Sequence, residues 1–115
     1  MTVTIYHNPR CSKSRETLDL LKAKGVDLEI VEYLSAPLSE TEIKGLLSKL
    51  QMGPRELMRP NEDIFKGLGL HDRGLTDETL IQMIHKHPVL IQRPIVVNGE
   101  KAAIGRPPEV VLEIL

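Results

Sequence analysis

The chain has 115 residues, of which 15 are basic and 16 are acidic, and this length predicts one domain, residues 1–115, with a core that needs no disulfide. The formal net charge of −1 gives no overall field to attract nucleic acid, and no apolar run approaches the roughly 20 residues of a membrane-spanning helix. The single cysteine, Cys11, cannot form an intramolecular disulfide. We therefore expect a cytoplasmic protein that binds neither nucleic acid nor a membrane.

The first third of the chain predicts a β-α-β unit. Residues 3–6 are rich in β-branched and aromatic side chains, which is typical of a strand. After a turn, residues 12–24 carry leucines at helical spacing, and Gly25 marks the end of the helix. Residues 28–33 predict a second strand. Two short strands joined by one helix favour a parallel pair with a right-handed crossover.

A helical insertion is predicted over about residues 37–87. Ser39 and Glu42 have the spacing of a capping box, and apolar residues then recur at helical intervals. Shorter helical segments follow until Pro88 stops the last of them. The insertion separates the first two strands from the rest of the sheet.

The C-terminal part returns to strand patterns. Residues 95–97 and 101–104 flank Asn98-Gly99, which predicts a hairpin with a type I′ turn. The two prolines at 107–108 can begin a final helix. The element order β-α-β, helical insertion, β-β-α indicates an α/β protein with a thioredoxin-like sheet.

Cys11 follows a turn and opens a helix, which is a place where a thiol becomes reactive. Unpaired amides and the partial positive charge of a helix N-terminus stabilise a thiolate. Nearby positive charge is expected from Arg10, Lys13, Arg15 and His7. These features should lower the pKa of Cys11, and the same amides should bind a tetrahedral oxyanion. The alternative, a buried structural cysteine, fits this basic context less well.

The neighbouring positions narrow the thiol chemistry. A phosphatase-like loop needs an arginine six positions after its cysteine, and Thr17 stands there. A dithiol oxidoreductase needs a second cysteine three positions on, and Ser14 stands there. The Ser14 hydroxyl is placed to bond the thiolate. Because the chain has no second cysteine, an external thiol must resolve any adduct on Cys11.

Three arginines outside this loop are candidates for binding the oxyanion. Arg59, Arg93 and Arg106 each precede a proline, which favours an extended backbone. Guanidinium groups suit oxyanions because they donate two parallel hydrogen bonds. In a thioredoxin-like layout the turn before the third strand lies beside the N-terminal loop, often with a cis proline, so Pro94 is the cis candidate and Arg93 should lie closest to Cys11.

Four stretches of the chain together resemble one known family. They read IYHNPRCSKSR, RELMRPNE, LTDETLIQMIHKHPVLIQRPIVV and GRPPEVVLEIL, in that order. The sequence resembles the glutaredoxin-coupled (glutathione-dependent) arsenate reductases, in their short arsenate-reductase-like form, and the likeness spans essentially the whole chain. It implies a thioredoxin-like domain. The residues it assigns to the site are Cys11 as nucleophile, Arg59, Arg93 and Arg106 as oxyanion ligands, and His7 and Ser14 as supports of the thiolate.

The resemblance also implies the partners in the reaction. Arsenate would be reduced to arsenite through a Cys11 thiolate–arsenate adduct, with glutathione as co-substrate and glutaredoxin as the source of reducing equivalents. No bound cofactor and no metal are expected. His85 and His87 are two residues apart on a predicted helix, so their side chains diverge and do not suit one metal ion.

Two other functions remain open at this point. One is a redox-responsive transcription regulator with a thioredoxin fold that binds RNA polymerase. The other is a thiol enzyme acting on another oxyanion or on a glutathione conjugate, because phosphate and arsenate have nearly the same shape. The arginine set and the loop around Cys11 favour the arsenate reductase.

Overall fold

The computed structural model describes residues 2–115, which divide into two compact units. The first combines the chain up to Ala36 with Arg93–Leu115, and the second is Pro37–Gln92. The predicted insertion, about residues 37–87, corresponds to the second unit, which continues further, to Gln92. That the whole chain is one domain stays a prediction, and the two units are described one at a time.

The first unit is built on a four-stranded sheet. Its elements are β1 (Thr2–Tyr6), α1 (Ser12–Ala23), β2 (Asp27–Val31), β3 (Ile95–Asn98), β4 (Lys101–Ile104) and a 3₁₀ helix (Pro108–Ile114). The strands lie in the order β2-β1-β3-β4, with β1 parallel to β2 and β3 antiparallel to both of its neighbours. This order confirms the α/β thioredoxin-like sheet. The predicted final helix is present as a 3₁₀ helix.

The core of the first unit lies between the sheet and its helices. Val3 and Ile5 alternate with more exposed residues along β1, as a strand with one buried face requires. They pack in one cluster with Leu21 of α1, Val96 of β3 and Val111 of the 3₁₀ helix, each at most 2% exposed. Burying each such side chain stabilises the fold by roughly 1.5–3 kcal/mol.

The hairpin between β3 and β4 closes through Gly99 and Glu100 rather than through Asn98 and Gly99. Asn98 is still paired, opposite Lys101. Gly99 has a φ of 62°, while Glu100 is not among the described residues with positive φ. Positive φ at the first loop residue alone is the pattern of a type II′ turn, so the predicted type I′ turn is wrong. The Asn98 side chain instead donates from Nδ2 to the carbonyl of Ile114 at 2.7 Å.

The second unit is helical. It contains α2 (Glu40–Leu50), α3 (Pro54–Leu57), α4 (Asp63–Gly67), α5 (Asp77–Lys86) and a 3₁₀ helix (Pro88–Leu90). The predicted capping box is confirmed, because Ser39 Oγ accepts from the Glu42 amide and Glu42 Oε1 accepts from the Ser39 amide, both at 3.1 Å. Within residues 2–115, no helix combines the length and apolarity that crossing a membrane demands.

Candidate active site

Cys11 is the N-cap residue of α1, at the end of the loop that leaves β1. Its backbone is extended, with φ −94° and ψ 123°. Its amide donates to the carbonyl of Asn8 at 3.0 Å, and its own carbonyl accepts from the Arg15 amide at 3.0 Å. The side chain is partly exposed. The sulfur therefore stands at the start of the helix, reachable from solvent, as the sequence predicted.

The surroundings of the sulfur stabilise its ionised form. Burial raises the pKa of Cys11, but the Ser14 amide, the Arg93 side chain and the Lys13 amide act in the opposite direction, and the net effect lowers that pKa. Within residues 2–115 no short capping hydrogen bond reaches the sulfur, so the amides act on it electrostatically. A larger fraction of Cys11 is therefore ionised to the reactive thiolate near neutral pH than of a free cysteine.

Two of the three predicted arginines converge on this sulfur. Arg106 Nη2 lies 3.8 Å from Cys11 Sγ, and Arg106 Nε donates to the carbonyl of Arg93 at 2.8 Å. Burial lowers the pKa of Arg93, but its polar and charge interactions with Cys11 and Tyr33 outweigh burial and raise that pKa. Arg93 is thus held as a cation beside the thiolate. The Arg93–Pro94 peptide is cis, which confirms that prediction.

The Ser14 hydroxyl bonds the loop and not the thiolate. Ser14 Oγ lies 2.6 Å from His7 Nδ1 and accepts from the Asn8 amide at 3.0 Å. All three residues are at most 6% exposed. The predicted bond from this hydroxyl to the sulfur is absent among the described residues, because the loop folds back over the first turn of α1 and takes up the hydroxyl. Ser14 acts on Cys11 through its amide instead.

His7 does not contribute the positive charge expected from the sequence. Burial lowers its pKa, and Lys22 and Arg15 lower it further, while Glu32 offsets part of the effect. His7 is therefore neutral at pH 7, and the expectation of a charged imidazole is wrong. Arg15 supports the loop in another way, by donating from Nη1 to the carbonyl of Pro9 at 2.9 Å.

Arg59, the third predicted arginine, belongs to the second unit. Its amide donates to the carbonyl of Leu90 at 2.7 Å, next to the bridge between Met58 and Ile91. The side chain is half-buried. Its assignment to the oxyanion site stays a prediction.

Two residues at the site were not singled out from the sequence. Tyr33 is fully buried, and its phenol helps to raise the pKa of Arg93. The available signal was that a tyrosine at the end of the predicted second strand, residues 28–33, needs a partner for its hydroxyl when buried. Gly105, directly before Arg106, packs against α1, and a glycine before a proline-flanked arginine gave no sign of this.

The described residues hold no cluster of metal ligands. Among residues 2–115, no three histidine, cysteine, aspartate or glutamate side chains lie close enough together to hold an ion. The groups described around Cys11 are its own thiolate, two guanidinium groups and helix N-terminal amides. This set can bind an anion and attack its central atom.

Known proteins resemble this chain over its whole length. The model of the ArsC family matches residues 6–114. An Escherichia coli K12 protein, YfgD, whose name assigns no activity, is 56% identical over 98% of this chain and 96% of its own. An arsenate reductase of Haemophilus influenzae is 49% identical, with both chains fully covered. A solved arsenate reductase structure from Vibrio cholerae superposes with a TM-score of 0.98 at 48% identity, covering 100% of this chain and 98% of the other.

Proposed function

This chain belongs to the ArsC family, and from that premise we propose that it is an arsenate reductase whose nucleophile is Cys11. One observation carries the proposal: Arg106 Nη2 lies 3.8 Å from the Cys11 sulfur, and the guanidinium of Arg93, whose carbonyl Arg106 holds, acts to lower the pKa of that sulfur. An isolated structural thiol needs neither partner. A thiolate that receives an oxyanion needs both, because the anion brings negative charge to an already negative sulfur.

The first step is attack of the Cys11 thiolate on arsenic. A sulfur–arsenic bond forms, an arsenic–oxygen bond breaks, and the departing oxygen leaves as water after taking up protons. Arsenic remains As(V) in this step. Arg93 and Arg106 donate to the remaining oxygens of the adduct, and the Lys13 and Ser14 amides add positive potential at the same place.

The second step requires a sulfur from outside the chain. Reduction of As(V) to As(III) takes two electrons, which two thiolates supply by forming a disulfide. The chain has one cysteine, so it cannot close that disulfide itself. We propose glutathione as the co-substrate, in keeping with the family resemblance, and its thiol displaces a second oxygen from arsenic as water.

Glutaredoxin then completes the reduction. Its thiolate attacks the sulfur of the arsenic-bound glutathione, a sulfur–sulfur bond forms, and the arsenic–sulfur bond breaks with its electron pair left on arsenic. Arsenic becomes As(III), still bound to Cys11. Water releases arsenite and regenerates the thiol. The cycle needs no bound cofactor or metal, and we place it in the cytoplasm, where glutathione is kept reduced.

The remaining predicted residues have supporting roles in this proposal. Arg59 contributes a third guanidinium to the oxyanion. His7 and Ser14 support the thiolate indirectly: their short hydrogen bond holds the loop that presents Cys11 and aims the Ser14 amide at the sulfur. Because His7 is neutral, it acts by position and not by charge.

The test is arsenite formation by the purified protein. The mixture contains arsenate, glutathione, glutaredoxin and an NADPH-driven system that recycles glutathione, and we expect turnover that stops when any one of these is omitted. Cys11→Ser should abolish turnover and keep the circular dichroism spectrum. Arsenite production by Cys11→Ser above the protein-free background would contradict the proposal, and so would an inactive wild-type protein in the complete mixture.

A further inference from the structure

The backbone at Gly105 approaches α1 more closely than any residue with a side chain allows. A Cβ placed on Gly105 would lie 2.6 Å from Thr17 Oγ1 and 2.9 Å from Pro94 Cγ. Both distances are shorter than carbon and oxygen atoms in proteins tolerate. Gly105 is not among the glycines with positive φ, so the absence of space, and not the backbone conformation, excludes a side chain here.

Neither of the two facing groups is free to move aside. Thr17 is fully buried in α1, and its hydroxyl donates to the carbonyl of Lys13 at 2.8 Å. Pro94 is buried directly before β3, and its carbonyl accepts from the Gly105 amide at 2.9 Å. A Cβ at position 105 would therefore push the end of β4 away from α1 and from the segment before β3.

The segment that would be pushed carries the guanidinium groups of the site. Arg106 follows Gly105 and reaches Cys11 Sγ at 3.8 Å, while its Nε holds the carbonyl of Arg93 at 2.8 Å. The opposite side of the contact, Thr17, lies in α1, the helix whose N-cap residue is Cys11. The contact between Gly105 and Thr17 thus determines how far α1 lies from the two arginines.

We propose that Gly105 is a positioning residue: its lack of a side chain lets the end of β4 lie against Thr17 and Pro94, and this contact places Arg93 and Arg106 at the Cys11 sulfur. The inference rests on the proposed thiolate chemistry of Cys11. It does not depend on arsenate being the anion that is bound.

The experiment compares Gly105→Ala with a matched control and with a relieving second change. The control is Gly45→Ala, in which the new Cβ meets nothing within 4 Å. The relieving change is Thr17→Ala, alone and combined with Gly105→Ala, because it removes the atom at 2.6 Å. The first readout is the rate of Cys11 alkylation by iodoacetamide against pH, which needs no arsenate. The second is kcat/KM for arsenate in the complete glutathione and glutaredoxin mixture.

We expect Gly105→Ala to raise the pH midpoint of alkylation and to lower kcat/KM by about 10- to 100-fold, the range for a displacement approaching 1 Å at a reacting centre. Gly45→Ala should match the wild-type protein in both readouts. In the double variant, kcat/KM should return to within about threefold of the value for Thr17→Ala alone, since the two changes act at one contact.

Three results would overturn the inference. One is a folded Gly105→Ala protein with the wild-type alkylation profile. Another is a Gly105→Ala alkylation profile that is shifted and stays shifted when Thr17→Ala is added in the double variant. The third is a Gly105→Ala protein that fails to fold and is not rescued in the double variant, which would show a need for glycine in folding alone. A shifted and rescued alkylation profile in a protein without arsenate turnover would sustain the role of Gly105 and reject the proposed substrate.

Discussion

Replacing Arg93 with methionine removes the guanidinium group and keeps most of the alkyl stem. Arg93 lowers the pKa of Cys11 both through a hydrogen bond and through its charge, while burial of the sulfur acts in the opposite direction. In Arg93→Met, burial still raises the pKa of Cys11, while the hydrogen bond and the charge of Arg93, which lower that pKa, are both lost. The pKa of Cys11 must therefore rise, and the midpoint of its alkylation profile must move to higher pH.

The same change should weaken oxyanion binding by a predictable amount. Hydrogen bonds to charged groups contribute about 1.5–3 kcal/mol each. Arg93 is half-buried, so solvent screens part of its charge and the lower part of that range applies. We expect a loss of about 1.5–2 kcal/mol, which corresponds to about 10- to 30-fold weaker binding of sulfate, an unreactive tetrahedral anion.

Calorimetric titration with sulfate and the pH profile of alkylation measure these two effects separately. Arg73→Met is the matched control, because Arg73 is an exposed arginine of the second unit. Urea unfolding verifies that both variants are folded. Equal sulfate affinity and equal alkylation midpoints in Arg93→Met and Arg73→Met would refute the assignment of Arg93 to an anion site built around the thiolate.

Two further predictions concern stability. Burial lowers the pKa of His7 below its ordinary value of 6.5, so on acidification the unfolded chain takes up this proton before the folded chain does, and the free energy of unfolding falls below about pH 6.5. His7→Gln should show a smaller fall between pH 7.5 and 5.5 than the exposed control His71→Gln in urea unfolding, and equal falls would contradict the buried neutral imidazole. Ser39→Ala breaks the capping box and should lower the free energy of unfolding by about 0.5–2 kcal/mol, whereas Ser48→Ala, later in the same helix, should change it by no more than about 0.5 kcal/mol. Indistinguishable urea midpoints for these two serine variants would show that the capping bonds contribute nothing measurable.

The elements of this protein were predictable where the signal is local. Ser39 and Glu42 are three residues apart, and the capping box depends on that spacing alone. The start of α1 directly after Cys11 and the β-α-β order follow likewise from short stretches of sequence. Pro94 in cis followed from the predicted layout, which places a proline before the third strand.

The details of the site depend on tertiary packing, and sequence reasoning missed several of them. The spacing of Ser14 from Cys11 places the two on one side of a helix, but the partner of the hydroxyl is decided by the loop that brings His7 to 2.6 Å. The charge of His7 depends on its burial, which no neighbour in the sequence reveals. The turn at Gly99 differs because pairing extends to Asn98, which is anchored by the carbonyl of Ile114. Arg59 lies in the second unit, so its part in the site is still a prediction.

The pairing of Ile95 with Ile104 makes the length of the hairpin matter to the chemistry at its base. Arg93 lies just before β3 and Arg106 just after β4, so both are at the same end of the hairpin. The Gly99 turn lies at the other end. Adding one residue to β4 would carry Arg106 about 3.4 Å along the strand and turn its side chain to the opposite face of the sheet. The register of the paired strands is therefore tied to the chemistry at the base of the hairpin, although the Gly99 turn lies at its other end.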